Sequence, residues 1–198
     1  MSQFEFFMTF YSLLLGLAVA ELLLGFGNLL RARQQPRWGV LTPLLGVLIL
    51  IQIIATFLDA WFKLQDIVVD MRGIAAPTLI GISYFTAALM AVPRDIEDWP
   101  SFDEYFHARK GMTLGPLIVA NLLTILVHEL PLVVTDRPVE IAAYAIVNGL
   151  LLLLLVAPLF TRRRGIAIAA MLAQILIMLL IYATQLRIAG MVAHLLGA

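Results

Sequence analysis

The chain has no cysteine, three histidines and only 13% charged residues in a length of 198. Without cysteine there is no disulfide framework and no thiolate to hold zinc or an iron–sulfur cluster. The charged fraction is about half the roughly 25% of an ordinary soluble domain, too little to coat a globule in water. The charges also cancel, 13 Lys and Arg against 13 Asp and Glu, with an isoelectric point near 6.8. A nucleic-acid binder carries a basic face, so nucleic acid is excluded as a partner.

Several chemistries are excluded by missing residues. A zinc protease needs H-E-x-x-H, but the chain reads His128-Glu129-Leu130-Pro131-Leu132, with no second histidine. Gly81-Ile82-Ser83 has no G-x-S-x-G elbow to make a nucleophile of the serine. There is no T-V-G-Y-G filter, no Walker A lysine and no lysine deep in a span to hold retinal. Haem ligation by two histidines is arithmetically open to His128 and His194, but neither a cofactor nor a metal is expected, and no catalytic residue is assigned.

What is abundant is apolar surface. Hydrophobic residues make up 62% of the chain and mean hydropathy is +0.99. Six apolar segments stand out: Phe6–Leu30, Val40–Phe62, Gly73–Val92, Gly111–Leu132, Glu140–Phe160 and Gly165–Leu186. Each is close to the roughly 20 residues that a helix needs to cross a bilayer. In hydrocarbon only helices or closed barrels satisfy their own backbones, and unbroken apolar runs are not the alternating pattern of a barrel. The sequence therefore predicts an all-α, six-helix membrane bundle forming one domain. Ala18-Val19-Ala20 resembles a signal cleavage site, but the preceding residues carry no positive charge and the apolar run continues to Leu30. The segment is expected to stay in the protein.

Lys and Arg set the expected orientation. Arg31, Arg33, Arg37, Arg94, Arg109, Lys110, Arg162, Arg163 and Arg164 fall on one side; Lys63, Arg72, Arg137 and Arg187 fall on the other. Nine against four predicts both termini outside, periplasmic if the host is the inner membrane of a bacterium. The halves are faintly alike. Arg72-Gly-Ile-Ala75 opens the third span and Arg164-Gly-Ile-Ala167 the sixth, while Gly16…Ala20-Glu21-Leu-Leu23 resembles Gly115…Ala120-Asn121-Leu-Leu123. Three spans per half would make such a repeat inverted, as in many secondary transporters.

The longest connection, 94–110, carries Ser101-Phe-Asp-Glu104, a capping-box pattern that starts a helix. That helix either lies in the cytoplasmic interface or runs on into the fourth span. Its aromatic residues Trp99 and Phe102 read as an interface anchor or, alternatively, as a docking site for a partner. Leu114-Gly115-Pro116 should kink the fourth span.

Polar residues inside a span are costly, so each needs a reason. Gln52, Thr56, Asp59 and Lys63 form one stripe on the second span, with Asp59 and Lys63 placed to pair. Asn121, Thr124 and His128 share a side of the fourth span; Glu140, Tyr144 and Asn148 share a side of the fifth; Gln174 and Gln185 share a side of the sixth. By depth, Gln52, Asn121, Asn148 and Gln174 fall near the middle. Asp59, Lys63, His128, Glu140 and Tyr144 form an outer cluster, and Glu21 with Asn28 lies toward the cytoplasm. Glu21 has no cation within a turn, so a proton or a bound cation is the expected occupant of its carboxylate. The plainer reading of the amides is interhelical glue.

Two functions follow as expectations. One is a channel or transporter for protons, cations or a small polar solute, lined by Glu21, Asn121, Gln52, Gln174 and Asn148 and assembled as a homo-oligomer. The other is a non-catalytic accessory or assembly subunit that docks on a larger membrane complex through Trp99 and Phe102.

Overall fold

The computed structural model describes residues 2–31, 37–94, 99–129 and 138–195. These residues form six α-helices and no strand: α1 (Gln3–Arg31), α2 (Leu41–Lys63), α3 (Met71–Ala91), α4 (Phe102–Thr124), α5 (Pro138–Phe160) and α6 (Arg164–Leu195). A π-helical turn, Ile125–Glu129, continues α4. Five of the helices are long and apolar enough to cross a membrane. The sixth, α5, has 23 residues, of which Tyr144–Phe160 form its described apolar stretch. The chain is an all-α protein built for lipid. Large apolar side chains such as Leu13, Leu24, Leu153, Leu176 and Leu180 stay more than half exposed, a liability in water and ordinary against acyl chains.

The helix starts show how local sequence sets the elements. Ser2 and Glu5 cap α1 reciprocally: the Glu5 amide donates to Ser2 Oγ (3.1 Å) and the Ser2 amide donates to the Glu5 carboxylate (2.8 Å). Asp70 caps α3 by accepting from the Gly73 amide at 2.7 Å. Ser101 caps α4 by accepting from the Glu104 amide at 3.2 Å. The capping box thus does start a helix, and that helix is α4 itself. Residues 102–110 are its first turns and not a separate interfacial element, so the fourth membrane helix starts well before Gly111.

Helix α2 has no side-chain cap of its own at Val40. The carboxylate of Asp103, from the first turn of α4, supplies one. Its Oδ1 accepts from the Leu41 amide at 3.0 Å, while its Oδ2 pairs with Arg164 at the start of α6 at 2.9 Å. One carboxylate therefore ties the N-termini of α2 and α6 to α4, where an anion is also favoured by both helix dipoles. Thr42 donates to the Phe102 carbonyl (2.9 Å), and Arg37 exchanges backbone hydrogen bonds with Pro100 and Phe102 at 3.3 Å each. The knot leaves no room at Gly39, where an added Cβ would meet the Asp103 carboxylate and lie 2.7 Å from its backbone nitrogen. Asp103→Ala is expected to lower stability by about 1–2 kcal/mol, the usual loss for a helix cap. Gly39→Ala should do so too, with thermal unfolding in detergent as the measurement. An unchanged unfolding temperature in both variants would show that the knot contributes nothing.

Helix α2 is the central element, in contact with α1, α3, α4 and α6. Helix α3 lies between α1 and α4, and α5 packs on α4 and α6. The two halves do not pack alike. Helix α1 runs along α3, whereas α4 and α6, the equivalent pair in a three-plus-three repeat, make no comparable contact among the described residues. Two ends can be distinguished. At one, which holds Lys63, Gln3 accepts from the Val69 amide and the ring of Phe4 packs tilted against Trp61. At the other, which holds Arg94, the Asp103 knot is formed and the Met90 carbonyl accepts from both Tyr105 and Thr113 (2.9 Å each). The half toward Arg94 is solid around Leu29, Leu41, Leu45, Leu48, Phe102, Phe106, Leu114 and Leu117. The half toward Lys63 is packed on its α1–α3 side by Phe7, Tyr11, Ile53 and Ile80 and holds a cavity on the other.

Candidate functional site

A cavity of about 110 Å³ lies between α2, α4, α5 and α6 in the half toward Lys63, with Tyr84 of α3 at its back. That is room for a few waters. The polar stripe of α2 forms one wall with Gln52, Thr56, Asp59 and Lys63. The stripe faces the cavity because α2 is the central helix and its remaining faces are taken by Leu45, Leu48, Ile49 and Ile53 in the core. Asn121 and Thr124 come from the last turn of α4, Tyr144 and Asn148 from α5, and Tyr182 from α6.

At the cavity floor Gln52 is 1% exposed and accepts through Oε1 from Asn121 Nδ2 at 3.1 Å. The same Asn121 nitrogen donates to the Leu117 carbonyl at 2.9 Å. Gln52 Nε2 and Thr124 Oγ1 are buried without a hydrogen-bond partner. One level up, Thr56 and Tyr84 share a hydrogen bond of 2.8 Å, and Tyr182 donates to the Ala55 carbonyl at 3.1 Å. Nearer the mouth, Asp59 and Lys63 pair at 3.2 Å, with side chains only 16% and 15% exposed. Asn148 donates to the Tyr144 carbonyl at 3.0 Å.

The structure thus brings together Gln52, Asn121 and Asn148 with Asp59, Lys63 and Tyr144, which depth alone divides into two groups. Gln174 is fully buried on α6 with neither amide atom bonded. It lies one turn before Met178 and two before Ile181 and Tyr182, on the helix face that lines the cavity, and so points beneath its floor. The side chains of His128 and Glu140, expected in the outer cluster, lie outside the described residues, as does that of His194.

Glu21 is elsewhere. It sits between α1 and α3 toward the opposite end, beside Leu24, Gly25, Asn28, Val92 and Pro93. Its carboxylate pairs with Arg94 at 2.8 Å, so the cation missing from its own helix comes from 73 residues further on. The pair is open, with Arg94 71% exposed, and an ion pair of that kind is worth at most about 1 kcal/mol. Glu21→Gln is therefore expected to shift thermal stability by no more than about 1 kcal/mol. A larger loss on thermal unfolding in detergent would show that the pair holds α1 to the end of α3.

The proposed docking pair is also divided. Phe102 is 1% exposed and packs edge-on against Trp38 at 5.2 Å, so it belongs to the core and is closed to a partner. Trp99 remains half-buried, edge-on to Tyr105 at 5.2 Å. The residue the sequence does not single out is Tyr182. Its spacing of four from Met178 and eight from Gln174 was the available signal, and a weak one, since eight residues turn a helix about 80° beyond two full turns, to the edge of one broad face.

Among the described residues no group of three or more His, Asp or Glu is placed to hold a metal. The chain matches no family model, no curated protein and no solved structure. The cavity itself is thus the guide to function.

Proposed function

We propose that this protein is a small channel or transporter that moves a proton, a cation or a small polar solute across the membrane through the cavity between α2, α4, α5 and α6. The observation that supports it is a space for a few waters among helices long and apolar enough to cross a membrane, with polar side chains contributed by five helices. Gln52 and Asn121 join α2 to α4 as glue would, yet Gln52 Nε2 and Thr124 Oγ1, on residues that line the cavity, have no hydrogen-bond partner in the protein. The excess of Lys and Arg at the Arg94 end supports an orientation with both termini outside, so that the cavity opens outward and the solid half lies inward. A bacterial inner membrane and a homo-oligomeric assembly belong to the same reading. The accessory-subunit alternative is weakened by the burial of Phe102.

The absence of cysteine makes a clean test available. Asn148→Cys is expected to react with a membrane-impermeant thiol reagent added outside intact cells, and the adduct should slow flux in reconstituted vesicles. Leu45→Cys, in the solid half, should stay unreactive from either side. Protection of the cysteine at 148 from both sides would mean that the cavity is dry, and the transport reading would fail.

A further inference from the structure

We infer that the occupant of the cavity is a small neutral hydrogen-bonding molecule, of the class of short amides, ureas and polyols, and not an ion. The inference rests on the transport reading and names its substrate class.

Four buried polar atoms without partners belong to this part of the bundle: Gln52 Nε2 and Thr124 Oγ1 on residues that line the cavity, and Gln174 Nε2 and Oε1 on α6, one turn before the lining residue Met178. Helix α2 starts at Leu41 and α6 at Arg164, both at the Asp103 end. Gln52 and Gln174 each follow their helix start by about three turns. Because every turn advances a helix by the same rise, the two amides lie at nearly equal depth. An unsatisfied buried polar group is costly, and in hydrocarbon no bulk water relieves it. The four atoms together offer N–H donors, a carbonyl acceptor and a hydroxyl that is both. A ligand that satisfies them must itself present donors and acceptors side by side. An amide, a urea or a vicinal diol does so; a bare cation answers only the acceptors and an anion only the donors.

Charge leads to the same class. The charged side chains among the described lining residues are Asp59 and Lys63, and they pair with each other at 3.2 Å near the mouth. At the floor the lining is Gln52, Asn121 and Thr124, all neutral. An ion reaching that level would shed water with no countercharge to receive it, a large penalty in a low-dielectric interior. A neutral solute only exchanges hydrogen bonds with water for hydrogen bonds with amides. The space, large enough for a few waters, limits the solute to a few heavy atoms.

The test is flux in proteoliposomes containing the full chain, with urea, acetamide and glycerol as probes followed by stopped-flow light scattering. Sodium, potassium and proton fluxes are followed in parallel with fluorescent reporters. At least one neutral probe should cross faster than in protein-free vesicles, and no ion should. Gln174→Leu is expected to slow that probe about tenfold, and the nearly isosteric Gln174→Met should do the same if the leucine variant does not fold. Ion flux, with or without a neutral probe, would overturn the substrate class while leaving transport standing. No flux of any probe would overturn both. Neutral flux unaltered in the folded Gln174 variants would remove the floor amides from the site and overturn the assignment.

Discussion

Gln52→Leu is expected to reduce solute flux by about tenfold or more while the protein remains folded. The side chain lies at the cavity floor, where its Nε2 has no partner in the protein and its Oε1 holds Asn121 in place. Losing one buried hydrogen-bonding partner is worth roughly 1–3 kcal/mol, and about 1.4 kcal/mol is a factor of ten in rate. The fold should tolerate the change. Leucine fills a similar volume, Asn121 keeps its bond to the Leu117 carbonyl, and an unpartnered buried nitrogen disappears. Thermal unfolding within about 1 kcal/mol of the parent is the matching control, since polar contacts between membrane helices are individually modest. Unchanged flux in a well-folded Gln52→Leu protein would take the central amide out of the pathway.

The largest effect on stability is expected from Phe102→Ala, a loss of about 3–5 kcal/mol, the range for deleting a fully buried phenylalanine. Its ring fills the junction of α2 and α4 against Trp38, and its carbonyl accepts from Thr42. The cavity left behind would open directly under the Asp103 knot. Trp99→Ala, by contrast, removes a half-buried ring and should cost far less. Unfolding followed by helical circular dichroism separates the two. Similar losses for both would mean that Trp99 is as much part of the core as Phe102.

Much of the fold was legible because lipid imposes a simple length rule. Apolar runs long enough to cross the hydrocarbon read as membrane helices, and their positions differ from the observed helices mainly at the ends. The exception is α4, where charged residues 103–110 left open whether the helix begun at Ser101 lies in the interface or runs on into the fourth span; it runs on. A hydropathy pattern cannot see that Asp103 is held by Leu41 and Arg164, or that Lys110 is occupied elsewhere. The site was half legible. Helical periodicity put Gln52, Thr56, Asp59 and Lys63 on one face, and the structure keeps them on one wall. Periodicity says nothing about which helices meet, so the partner of Glu21 and the joining of Asn148 to Asn121 needed three dimensions. Phe102 misled for a related reason. An aromatic residue beside charges resembles an interface anchor unless the neighbour that covers it, here Trp38, is known.

Lys110 gives α5 its mechanical character. Its ammonium donates to the carbonyls of Pro158 (3.0 Å) and Thr161 (2.7 Å), clasping the last turn of α5 to α4. Otherwise α5 packs mainly on α4 and α6 among the described residues, and the central helix has little grip on it. The clasp fixes the register of α5 against α4, and with it the height at which Tyr144 and Asn148 meet the cavity.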